Sequence, residues 1–197
     1  MPTVSSELRP GVTNDEQWFP DRLTDGEWRR LRKRVLERDD YTCYFCRHRA
    51  TKWMNIHHIK SGSDNRLQNL RTVFVACHAV MHVGLNLQLR KIEIWESKLD
   101  QVEIVKRTRK GIREGKSLRQ IKKSLSLRRG PYPPRSLRYA NELLDPMGRS
   151  PRAYLDKPLC AVFTSLQRWQ VEDGAWSSLA WSSLLKRLNN RSKQVRK

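Results

Sequence analysis

The sequence predicts an α+β fold, mostly helical, with a small mixed core followed by a basic helical region. Three observations predict it. A helix-start signature at Thr24 opens a run of helically spaced apolar residues. A short β-type segment, residues 51–59, ends in two adjacent histidines and is followed by a polar loop and a long helical pattern. The downstream half is rich in lysine and arginine at helical spacing.

Each element follows from local chemistry. Residues 1–24, with Pro2, Pro10, Gly11 and Pro20, read as an irregular lead-in. Thr24 with Glu27 three positions later has the capping-box form, in which side chain and backbone satisfy each other's orphan groups. Trp28, Leu31, Val35 and Leu36 then recur at helical spacing, which predicts an amphipathic helix over 25–38. Residues 60–68 (KSGSDNRLQ) hold turn formers and read as a loop. From Asn69 to about Trp95 the pattern reads as helical, with a break near Gly84 and Asn86. The organisation expected is thus a lead-in (1–24), a core domain (25–95), a basic helical region (96–150) and a C-terminal linker, helix and tail (151–197).

The chain has 197 residues, 40 Lys+Arg against 20 Asp+Glu, and a formal net charge of +20. A charge so far from zero costs self-repulsion, and a polyanionic partner is the natural reason to keep it. The charge is also unevenly spread. Residues 1–27 carry 2 basic and 6 acidic side chains, whereas 101–150 carry 14 basic and 4 acidic. No apolar run approaches the ~20 residues that span a bilayer, and the first 25 residues lack an apolar leader core. A reducing, cytoplasmic setting is expected, in which clustered cysteines bind metal more readily than they form disulfides.

The polar residues that carry chemistry stand in the order Cys43, Cys46, His57, His58, Asn69, Cys77, His78, His82. His78 and His82 are four apart on a predicted helix and so share one face. Two such histidines chelate a metal, and a third ligand from a neighbouring strand leaves coordination positions open for water and phosphate. Adjacent histidines supply two tools: one imidazole ligates, the other takes a proton near neutrality. Phosphodiester hydrolysis needs both.

In this order and spacing, His57-His58-Ile59, Asn69-Leu70, Cys77-His78 and His82 resemble the HNH, or ββα-metal, endonuclease motif. The upstream WRRLRKRVLERDDYTCYFC is similar to the segment that precedes it. The resemblance covers roughly residues 28–84 and not the C-terminal half. It implies that His57, His78 and His82 hold one divalent ion (Mg, Mn, Ni or Zn) and that His58 is the general base. It also implies that Asn69 holds the loop between two strands and orients that base. The products implied are 5′-phosphate and 3′-hydroxyl ends, and the setting implied is a bacterial or phage-encoded enzyme on nucleoid DNA.

The cysteines depart from the family's pattern. Many members bind a structural zinc with two C-x2-C pairs, but Phe74 stands where the second pair needs cysteine. Three thiols remain, Cys43, Cys46 and Cys77, and a closed structural zinc site takes four ligands. Either His48 serves as the fourth, or Phe74 fills the space and zinc is absent or weakly held; the sequence favours the second. Cys160 reads as an ordinary buried thiol.

The basic half supplies cations for phosphate. Residues 106–129 hold eleven Lys/Arg and one Glu, and Arg107, Arg109, Lys110, Arg113, Lys116, Arg119, Lys122, Lys123, Arg128 and Arg129 are the candidate contacts to double-stranded DNA. SLRQIKKSLSL (117–127) reads as the first helix of a helix-turn-helix, with residues 135–144 as its second; the plainer alternative is a basic arm that tracks backbone. Residues 145–160 read as a linker, and Trp181, Leu184, Leu185 and Leu188 as one packed helical face. A homodimer, or a protein partner as in a nuclease subunit of a defence complex, is compatible with this layout. The competing class is a non-catalytic, zinc-stabilised DNA-binding protein.

Overall fold

A computed structural model describes residues 8, 10, 23–59, 64–136, 138–139 and 159–164. The first helix, α1 (Asp25–Arg38), forms as its sequence dictates. Thr24 Oγ1 accepts from Glu27 N, and Glu27 Oε2 accepts from Thr24 N at 2.9 Å, so the capping box is closed from both sides. Val35 and Leu36 are buried.

Strand β1 (Met54–His58) pairs antiparallel with β2 (Leu70–Phe74), Ile56 opposite Thr72 and His58 opposite Leu70. Helix α1 lies on this hairpin, and three polar contacts fix it there. Arg32 donates to the Met54 carbonyl at 2.6 Å, Arg38 donates to the Leu70 carbonyl at 2.7 Å, and the Asp39 carboxylate accepts from Thr72 N at 2.8 Å. A single turn of 3₁₀-helix, Leu67–Asn69, leads into β2. Two short helices follow, α2 (Val75–Met81) and α3 (Val83–Gln88), and then strand β3 (Ile92–Ser97).

Strand β3 is central in a second antiparallel sheet, flanked by β4 (Leu127–Arg128) and β5 (Leu159–Phe163). Strand side chains alternate between faces. Ile92 and Ile94, with Ala161 and Phe163 opposite, join the core that also holds the hairpin and α2. Cys160 and Val162 join a second cluster with Ile104, Ile112, Ile121 and Leu125. Those last residues come from α4 (Gln101–Arg113), α5 (Leu118–Lys123) and the turn after it. The basic half is therefore a helical hairpin packed on one face of a sheet. Gly115, at φ +75, ends α4 in the left-handed conformation that glycine adopts without strain. Gly111 permits the close crossing of α5, since a Cβ there would sit 2.6 Å from Ile121 Cγ1.

The fold class is α+β, with helix exceeding strand among the described residues. Four expectations are corrected. The stretch from Asn69 to Trp95 is not one helix. Leu70–Phe74 and Ile92–Ser97 are strands, because LRTVF and IEIWES carry β-branched residues that pair with partners far away in sequence. The helical break falls at His82 (φ −116, ψ 44), not at Gly84 or Asn86, both of which lie inside α3. Asn86 stabilises that break, donating from Nδ2 to the carbonyls of Ala79 and His82 at 3.0 and 2.9 Å. Helix α5 stops at Lys123 rather than Leu127, and Leu127–Arg128 pair with β3 instead. Finally, the linker expected over 145–160 ends in structure, since Leu159 and Cys160 begin β5. Of the proposed second helix over 135–144, only Arg138 and Tyr139 are helical among the described residues. The 145–158 part of the linker, the Trp181–Leu188 face, the basic tail and most of the lead-in lie outside them. Within that lead-in, Leu8 is buried in the main core.

Among the described residues, strand β5 lies at the sheet's edge, where free backbone groups invite pairing with another chain. The Gln101 side chain answers this at one point. Its Nε2 donates to the Ala161 carbonyl at 3.0 Å and its Oε1 accepts from Ala161 N at 2.7 Å, both buried. The carboxamide thus stands in for one residue of a neighbouring strand. Gln101→Leu should lower stability by about 2 kcal/mol or more, because two buried backbone groups lose their partners. The urea midpoint measures it, and an unchanged midpoint would show that water replaces the amide.

Candidate metal centre and nucleic-acid interface

Strand β1 delivers His57 and His58 to opposite faces of the hairpin, as adjacent strand residues must be. His57 faces α2, which carries His78. His82 sits at the break between α2 and α3. The three rings meet with centroids 5.3 Å (His57–His78), 5.2 Å (His57–His82) and 4.4 Å (His78–His82) apart. One ligand nitrogen from each lies within 4.8 Å of the others, and His78 Nε2 and His82 Nε2 are 3.2 Å apart. The kink at His82 places its ring here, since the chain leaves helical geometry at that residue alone.

Electrostatics keep the trio unprotonated. Burial pushes His78 down to about 4. Burial, then the charges of His78 and His58, pushes His57 well below its ordinary value. Burial, then His78 and His57, does the same to His82. At neutral pH all three are neutral imidazoles with lone pairs available, which is the form that ligates a metal. The donor set therefore fits a divalent ion of the nitrogen-loving kind.

His58 is outside this group. Its ring stacks on Trp28 of α1, centroids 6.1 Å apart and planes 24° apart, and its Nε2 lies 2.9 Å from Asn65 Oδ1. Asn69 is buried, and its side-chain amide donates to the Asp64 carbonyl at 2.7 Å, while its own carbonyl accepts from Ile59 N. Asn69 therefore ties Asp64 and Ile59 together at the base of the hairpin. The side chain hydrogen-bonded to His58 is a different one, Asn65. Nothing in the sequence signals that Asn65 or Trp28 meets His58; Trp28 stands out there only as part of the apolar face of 25–38.

The thiols of Cys43, Cys46 and Cys77 also converge, all buried and within 4.8 Å of one another, so this group could hold a metal ion too. Burial raises the Cys43 thiol, but hydrogen bonds from Cys46 and Cys77 outweigh it and draw Cys43 well down, toward thiolate. The loop that carries the first two is a tight reversal, with Cys43 N donating to the His48 carbonyl at 2.8 Å and Arg47 at φ 58. His48 does not join the thiol group. Its ring packs edge-on against Phe74 at 4.7 Å, and Phe74 is buried, filling space where the family's pattern places a ligand. Cys160 is buried in β5, away from these groups in the sheet.

The ten basic residues of the second half divide in two. Several are engaged within the protein: Arg107 with Glu103 and the Ser124 carbonyl, Lys110 and Lys116 with Glu114, and Lys122 with Glu93. Arg109 is partly buried, with Nη1 enclosed. Arg113, Arg119, Lys123, Arg128 and Arg129 are exposed. Among the described residues, no helix is long and apolar enough to cross a membrane. No family model matches the chain, and no curated protein matches it.

Proposed function

We propose that the chain is a metal-dependent endonuclease of the HNH kind, hydrolysing phosphodiester bonds of double-stranded DNA. One observation carries this reading. Three imidazoles from a β-hairpin and the helix after it converge on one point, and a fourth imidazole, His58, stands next along the strand but outside the group. That is a metal cradle beside a separate proton acceptor, the pairing that phosphodiester hydrolysis calls for.

His57, His78 and His82 would hold one divalent ion, which supplies charge neutralisation at the scissile phosphate and leaving oxygen. His58 takes a proton from the attacking water. The new oxygen–phosphorus bond forms as the bond to the 3′ oxygen breaks, and the departing 3′ oxyanion takes a proton from solvent water, leaving 5′-phosphate and 3′-hydroxyl ends. Asn69 fixes the loop beside His58. The exposed cations Arg113, Arg119, Lys123, Arg128 and Arg129 neutralise backbone phosphates. A six-residue α5 followed by a strand favours a basic surface that follows the backbone over a helix-turn-helix that reads bases.

The second reading is a zinc-stabilised DNA-binding protein without catalysis, favoured by the converging thiols. Supercoiled plasmid with Mg²⁺, Mn²⁺, Ni²⁺ or Zn²⁺ separates the two. The wild type should nick or linearise it, and His58→Ala should cut at least ~10²-fold more slowly while still folding and binding DNA. Intact plasmid with every metal would leave the second reading; full activity in His58→Ala would remove His58 from the chemistry.

A further inference from the structure

An imidazole accepts a proton only at the nitrogen that carries none, so whatever sets the tautomer chooses the basic nitrogen. His58 Nε2 lies 2.9 Å from Asn65 Oδ1. A carboxamide oxygen can only accept. Nε2 must then carry the hydrogen, which leaves the lone pair on Nδ1. The nearly parallel Trp28 ring lies beside the imidazole, centroids 6.1 Å apart.

Asn65 is itself held. The residue before it, Asp64, accepts from Asn69 Nδ2 through its carbonyl and pairs with Arg66 through its carboxylate at 2.9 Å. The carbonyl of Asn69 in turn takes the N–H of Ile59, the residue after His58. The loop is thus anchored to the hairpin beside the imidazole it contacts.

We propose that Asn65 is a positioning residue that holds His58 as the Nε2–H tautomer and presents Nδ1 as the basic nitrogen. The catalytic half of this rests on His58 being the base; the tautomer half does not. Asn69 then acts one step back, fixing the loop that carries Asn65.

Aspartate keeps an acceptor oxygen at this contact and leucine offers none, and that difference makes the test. Ring ¹⁵N NMR on the metal-free, DNA-free protein reads the tautomer directly, and plasmid cleavage reads the consequence. The wild type should show a protonated Nε2 and a bare Nδ1 on His58. Asn65→Leu should give mixed tautomers and a kcat about 10-fold lower or more, with KM unchanged, a smaller loss than removing the base. Asn65→Asp should restore the Nε2–H tautomer and most of the rate. A wild type protonated at Nδ1, an Asn65→Leu protein with the tautomer unchanged, or an Asn65→Asp protein as impaired as Asn65→Leu would each overturn the proposal. If the wild type cuts no plasmid, the nuclease reading fails by itself, and the NMR result still decides whether Asn65 sets the tautomer.

Discussion

If His57, His78 and His82 hold a divalent ion, adding metal should raise the melting point of this protein, and replacing His78 with alanine should abolish that rise. His78 approaches both other imidazoles, its ring 4.4 Å from that of His82 and 5.3 Å from that of His57. Its removal leaves two nitrogens on separate elements, and chelation from a single helix-break pair is lost. A ligand that binds only the folded state stabilises it by about 2.7 kcal/mol at a hundred times its Kd. The wild type should therefore melt higher as Mn²⁺ or Ni²⁺ is added, and the His78→Ala melting point should be nearly flat. Cleavage should fall with it, by at least ~10²-fold if the ion neutralises the transition-state charge. A variant that keeps both the metal-dependent melting shift and the activity would place the ion elsewhere, and the thiol group would be the next site to examine.

Neutralising Glu93 should produce the largest loss of stability outside the apolar core. Glu93 points from β3 into the layer formed by the basic half. It is 6% exposed, and its carboxylate takes Lys122 at 2.6 Å, Arg135 at 2.8 Å and Trp95 Nε1 at 3.1 Å. Burial raises its pKa, but Lys122, Arg135 and Trp95 outweigh burial and hold it below the ordinary value. Breaking a fully buried pair costs about 3–5 kcal/mol. The Arg135 side chain is 63% exposed and recovers hydration, so Glu93→Gln should cost nearer 2–3 kcal/mol, about 5–10 °C in Tm for a protein of this size. The sign with pH follows from the depressed value. The contribution is fully present above the unfolded glutamate pKa of about 4.3 and is lost as pH falls through the folded value. Wild-type and Glu93→Gln melting points should thus differ at neutral pH and converge in acid. A gap that persists in acid would assign the loss to packing instead.

Much of the candidate site was legible in the sequence because its chemistry is local. Thr24 and Glu27 announced α1, and the four-residue spacing of His78 and His82 announced that they meet, although the break at His82 and not one helix face brings them together. What escaped was whatever depends on partners far along the chain. LRTVF and IEIW are only four or five residues long, each broken by a charged residue (Arg71, Glu93), and a window that short does not separate a strand period from a helix period. Their pairing with Met54–His58 and Leu159–Phe163 decides the matter. The break at His82 escaped because its cause is a side chain four residues later, Asn86, bonded backward to two carbonyls. The basic residues looked equivalent in sequence. Burial of Glu93, invisible there, commits Lys122 to the fold and leaves residues such as Arg119 and Lys123 outward.

The central position of β3 has a consequence for the order of assembly. Its two neighbours are separated by about 30 residues of intervening chain, and the edge partner β5 arrives last. Pairs so distant in sequence pay their loop-closure entropy before any contact rewards it. During synthesis the hairpin, the three imidazoles and the helical hairpin all leave the ribosome before Leu159 does. Ile92 and Ile94, on the face that joins the main core, must wait for Ala161 and Phe163 to cover the strand beside them. The backward reach of Gln101, 60 residues upstream of its partner, is then the closure that completes the sheet and fastens the late strand to the early one.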